Sequence, residues 1–140
     1  MLGPDITERP MNISSQHLTS YVLENMNSYW AGRINTLENS IENIKKLPTN
    51  EIEEEIEWTV LGLLRQFYTL KELSITSKAG AGEYGLLNLP EEWHDIINEA
   101  LNIRKKTMDR VFNSDEHRVH EALNFSKYLI QYCNRIQHND

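Results

Sequence analysis

From Ser15 onward, apolar residues recur at three- and four-residue steps: Leu18, Val22, Met26, Tyr29, Trp30, Leu37, Ile41 and Ile44. That spacing matches the 3.6-residue repeat of an amphipathic helix, and no stretch of useful length alternates apolar and polar residues with period two. At about 30 residues the run is long for one globular helix, so a kink or break is expected near Ser28–Gly32. Leu47-Pro48 ends it, because proline cannot continue a helix. Residues 1–13 hold Gly3, Pro4 and Pro10 without periodicity and read as an extended arm or interdomain linker. Residues 14–140 read as one helical domain.

Asn50 is placed to cap a second helix, with Glu51, Glu53 and Glu54 where negative charge suits the helix dipole. Its core face is Ile52, Ile56, Val60, Leu63, Phe67 and Leu70, and the pattern fades near Ser74. Ser77 caps a short third helix reaching about Leu89. Pro90 opens a fourth at its first position, followed by Glu91 and Glu92. Trp93, Ile96, Ile97, Ala100, Leu101 and Ile103 face inward there. Asn113-Ser114-Asp115 separates off a last helix over about 115–137, which turns Val119, Ala122, Leu123, Leu129, Cys133 and Ile136 to the core. Four to six helices joined by short loops predict an all-α fold, an antiparallel bundle.

Charge then narrows the partners. The 140 residues carry 14 Lys+Arg and 21 Asp+Glu, a formal charge of −7. A nucleic-acid binder needs a basic face to displace phosphate counterions, so DNA and RNA are disfavoured and cationic ligands favoured. No window approaches an uninterrupted membrane span, and the first residues lack the basic and apolar regions of a signal peptide. Cys133 is the one cysteine, which excludes an internal disulfide and points to a reducing cytoplasm.

Three candidate motifs carry little chemistry. Gly80-Ala81-Gly82-Glu83-Tyr84-Gly85 spells G-x-G-x-x-G, but no strand precedes it and helix, not strand, follows about 20 residues on. A helix rich in small residues, packed closely on a neighbour, is the better reading. His117, His120 and Glu121 share a helix face and would need ligands from a second helix to hold a metal. Together with Glu116 and Arg118 they read more simply as a solvated first turn. Cys133 falls on an apolar face, where a thiol is inert.

One face is richer. At 100° per residue, Glu51, Glu55, Trp58, Gly62, Arg65 and Thr69 share a band about 80° wide on the second helix, turned away from its core direction. Carboxylates, an aromatic ring, a gap and a base follow one another along it. Such a face suits a polycationic, ring-bearing ligand, its ammonium groups on the carboxylates and a sugar ring or cation on Trp58. Gly62 would admit a ligand or a neighbouring helix to the backbone. The plainer alternative has the glutamates serving the helix dipole, Arg65 pairing with an adjacent helix and Trp58 packing under a loop.

The run from Leu64 to Thr69, then Ile75-Thr76-Ser77-Lys78, Glu83-Tyr84 and Leu89-Pro90-Glu91-Glu92, resembles one family. It is similar to the C-terminal helical domain of the aminoglycoside adenylyltransferases that modify streptomycin and spectinomycin. They read L-x-R-x-W-Y-T, I-x-S-K-D-x-A-A-D-W and L-P-E at the same spacing, ungapped here from Leu61 to Trp93. The resemblance implies an N-terminal nucleotidyltransferase domain, in cis or in trans, whose G-S motif and D-x-D pair hold Mg²⁺ and ATP. Neither Gly-Ser nor Asp-x-Asp occurs in this chain. It is therefore expected to be a fragment, an excised domain or one half of a split enzyme, with no catalytic residue and no cofactor of its own.

Carried over by position, Arg65 and Lys78 match basic residues that approach the ATP phosphates, and Glu55 an acidic position facing the aminoglycoside. Glu51 matches a second position near that site. Trp58 stands where the family is usually polar, and on the bottom-up reading it joins Glu51 and Glu55 as substrate-binding. Phe67, Ala79 and Asn88 replace the usual Trp, Asp and Arg. These departures motivate a second expectation, a stand-alone helical interaction or oligomerisation module without enzymatic function.

Overall fold

The computed structural model describes residues 15–138, and among them every regular element is helical. The arm expected over 1–13 lies outside the described residues. Helix α1 (Ser15–Asn25) runs into a π-helical turn, Met26–Trp30, and then α2 (Ala31–Asn39). In that turn the Ala31 N–H reaches back five residues to the Met26 carbonyl. The irregularity expected near Ser28–Gly32 takes the form of a widened turn that buries both Met26 and Trp30, with helix continuing through it to Asn39. A short α3 (Ile41–Ile44) follows before Pro48.

Helix α4 (Thr49–Glu72) is central and packs against the helices that follow it. It starts one residue before the expected Asn50 cap. Pro48, extended at ψ 147°, stands at the cap position, and its carbonyl accepts from the N–H groups of Glu51 and Ile52 at 3.0 and 3.1 Å. Asn50 is thus inside the helix. The Thr49 hydroxyl, instead of capping, donates to Asp115 Oδ2 at 2.7 Å. Burial also spreads wider than the one expected stripe, taking in Thr59, Leu61, Gly62 and Leu64, because neighbours flank α4 on more than one side. Leu73, left-handed at φ 56°, closes it.

Ser77 caps α5 (Lys78–Asn88) as expected, its hydroxyl accepting from the Gly80 N–H at 3.0 Å. The glycines permit close packing rather than nucleotide binding: a methyl group at Gly82 would lie 2.5 Å from Leu101 Cδ2, and one at Gly85 2.8 Å from Leu64 Cδ2. Pro90 does not open the next α-helix. It precedes a 3₁₀ turn, Glu91–Trp93, and α6 (His94–Lys105) begins only after it. Leu89 and Pro90 are both extended (ψ 159° and 149°), which fits the bias of a residue before proline.

Lys106, left-handed at φ 58°, starts the loop to α7 (Asp115–His138). Ser114 caps α7 by accepting from the His117 N–H at 3.1 Å. The inward positions expected on α6 and α7 all join the core or pack against it. One expectation fails in this turn. Arg118 is not solvated but 1% exposed, and it donates to Glu99 Oε2 at 2.8 Å, Glu53 Oε2 at 2.9 Å and Asp115 Oδ1 at 3.0 Å. Glu99 is fully buried and also accepts from the backbone N–H groups of Val111 and Phe112. This network clips the α6–α7 loop onto α4, and it could not be read from helical period because its members come from three helices.

Candidate functional site

The α4 band lies outside the core as expected, exposed at Glu51, Trp58 and Arg65 and half-buried at Glu55 and Thr69, except at Gly62. Gly62 is buried beneath Trp30, and a methyl group there would lie 2.5 Å from Trp30 Cη2. The gap therefore admits the neighbouring π-turn, and Gly62 forms part of the floor of one cleft. Trp58, 46% exposed, forms part of the walls of two clefts.

The first cleft, about 810 Å³, lies between α2 and the start of α4. Glu51, Glu54 and Glu55 give it three carboxylates against one cation, Arg33. Arg33 Nη2 donates to both oxygens of Glu55 at 2.6 and 2.7 Å, and its Nε donates to Thr59 Oγ1 at 3.4 Å. Its guanidinium carbon stands 5.7 Å from the Trp58 ring centroid. Glu51 and Glu54 form no ion pair among the described residues. This side can neutralise ammonium or guanidinium groups and offer them an aromatic face.

The second cleft, about 360 Å³, lies between α1, α4 and the segment leading into α5, with Arg65, Gln66, Thr76 and Lys78 in its lining. Arg65 is exposed and makes no hydrogen bond or ion pair among the described residues, so the expected pairing with an adjacent helix does not form. Lys78 stands 4.8 Å from the Trp58 centroid. It is shared with Glu57 at 3.3 Å, whose other oxygen takes Arg104 at 3.3 Å. This side can receive anionic oxygens, with one free cation and one that would first loosen from Glu57.

All five expected site residues thus line the two clefts: Glu51 and Glu55 on the acidic side, Arg65 and Lys78 on the basic side, Trp58 on both. Arg33, Glu57 and Thr59 are additions. Arg33 carried a weak signal, one helical turn beyond Tyr29 and Trp30, but its pairing with Glu55 spans 22 positions and no local spacing encodes it.

No group of three or more His, Cys, Asp or Glu among the described residues could hold a metal ion, and His117 packs edge-on against Phe112. Burial pushes the Cys133 thiol up to about 12, so it is no nucleophile near neutral pH. No described helix is long and apolar enough to cross a membrane.

No curated protein and no solved structure matches the chain. A family model does, over residues 23–129, from within α1 to within α7, and so covers both ends of the charged α4 face. The chain therefore belongs to the family of the aminoglycoside adenylyltransferase C-terminal domain.

Proposed function

We propose that the two clefts beside Trp58 form this chain's share of a composite site for adenylyl transfer from ATP to an aminoglycoside. The reading is carried by one observation: Glu55 and Arg65 lie on one helix face yet open into separate clefts of opposite charge. The acidic cleft takes the cationic groups of the antibiotic, with Trp58 against a sugar ring. The basic cleft turns Arg65 and Lys78 to the polyphosphate, where their charge would stabilise the leaving group. Mg²⁺ and the general base would come from a nucleotidyltransferase partner domain, where the expected G-S and D-x-D residues lie. ATP supplies the adenylyl group; this chain's residues bind and orient. A cytoplasmic role in antibiotic resistance follows from that reading.

The test is thermal stabilisation of the chain by streptomycin. Glu55→Lys places a cation where the ligand needs an anion and should abolish the melting shift, while Trp58→Ala should reduce it. An unchanged shift in Glu55→Lys would refute the site. The internal pairing of Glu55 with Arg33 and of Lys78 with Glu57 favours a second reading, an interaction module whose charges serve its own fold. That reading requires a wild-type chain with no streptomycin response and a stable oligomer by light scattering.

A further inference from the structure

The acidic cleft already contains a cation. Arg33 reaches across from α2 and engages both oxygens of Glu55 at 2.6 and 2.7 Å, Thr59 Oγ1 at 3.4 Å and the Trp58 ring at 5.7 Å. Its guanidinium thus holds both the carboxylate and the aromatic surface that a ligand cation would use. The Arg33 and Glu55 side chains keep 25% and 32% of their surface exposed, so water and a ligand can reach the pair from the cleft. Glu51 and Glu54 line the same cleft without ion pairs among the described residues.

We infer that Arg33 is an internal competitor, which occupies Glu55 and Trp58 in the free chain and is displaced by a cationic ligand. A tethered group acts at an effective concentration on the order of millimolar. A ligand with one positive charge at lower concentration loses to it. A ligand with several charges engages Glu51 and Glu54 as well and overcomes it. Arg33 therefore sets a charge threshold that admits polycations and rejects simple amines and guanidines. This rests on the acidic cleft being the ligand site, but not on which antibiotic is modified or how.

The experiment uses the full 140-residue chain and two probes. Streptomycin, a polycation, is titrated calorimetrically, and methylguanidine, a monocation, is followed through the Trp58 indole N–H resonance. Arg33→Ala should bind streptomycin about tenfold more tightly than wild type, and Arg33→Lys, which keeps a tethered cation, should not. Methylguanidine at roughly 0.1 mM, below the effective concentration of the tethered group, should barely move the wild-type resonance and shift it clearly in Arg33→Ala, by filling the vacated place. Arg33→Gln, which keeps most of the stem, should behave like Arg33→Ala and covers the case in which Arg33→Ala fails to fold. Where the wild type binds streptomycin, unchanged or weaker binding in the folded variants would overturn the inference, as would no methylguanidine response in either. A methylguanidine response in Arg33→Ala with no streptomycin binding to any form would sustain it while removing the antibiotic from the proposed function.

Discussion

Replacing Arg118 by alanine tests a deeply buried charge cluster. Arg118 is 1% exposed and Glu99 fully buried, with 2.8 Å between Arg118 Nε and Glu99 Oε2. In Arg118→Ala the Glu99 carboxylate keeps the N–H groups of Val111 and Phe112, at 2.8 and 3.3 Å, but loses its counter-charge. Removing one partner of a buried pair costs about 3–5 kcal/mol, since the other charge stays desolvated. With an unfolding entropy of about 2.1 cal/mol/K per residue, 140 residues give roughly 0.3 kcal/mol/K, so the midpoint should fall by about 10–17 °C. Glu99→Gln should cost less, about 1–3 kcal/mol, because Arg118 retains Asp115 at 3.0 Å and Glu53 at 2.9 Å. The combined Arg118→Met, Glu99→Gln chain should regain much of the loss of Arg118→Ala, since the charge left without its partner, Glu53, has a side chain 32% exposed to water. Calorimetric melting at pH 7 reads all three. A loss below about 1 kcal/mol in Arg118→Ala, the value of an exposed pair, would refute the claim that this network is desolvated.

Two further predictions follow from the same packing. Gly32→Ala should raise stability by up to about 1 kcal/mol, because nothing lies within 4 Å of the added methyl and alanine is the better helix former. Gly62→Ala meets Trp30 Cη2 at 2.5 Å, so overpacking of about 1–3 kcal/mol should outweigh that propensity gain; denaturant melts with opposite signs for the two are the check. Burial alone would raise the Asp115 carboxyl, but hydrogen bonds from Thr49 and Arg118 and the charges of Arg110 and Arg118 hold it below its ordinary 3.8. A carboxylate lowered on folding stabilises fully above its unfolded value and loses that contribution as pH falls through the folded one. Melting temperature should therefore drop below about pH 4, and Asp115→Asn should flatten that drop; an unaltered acid limb would count against this cluster as its cause.

Much of this fold was legible in local pattern. The 3.6-residue spacing predicts helices throughout, Ser77 marks the start of α5, and the π-turn over Met26–Trp30 is foreshadowed by a run too long for one regular helix. These are properties of residues within a turn or two of one another, where period and capping act. The α4 face was equally readable, because Glu51, Glu55, Trp58 and Arg65 need only one helix to share a side. Tertiary structure decided what that face does. Packing of the π-turn put Trp30 over Gly62 and closed the gap, while α2 brought Arg33 to Glu55 and α5 brought Lys78 to Glu57. It also buried Arg118, whose place in a charged first turn suggested water, because Glu99, Glu53 and Asp115 converge on it from three helices. A charged residue's environment depends on which partners arrive from distant positions, and that is settled only when helices pack.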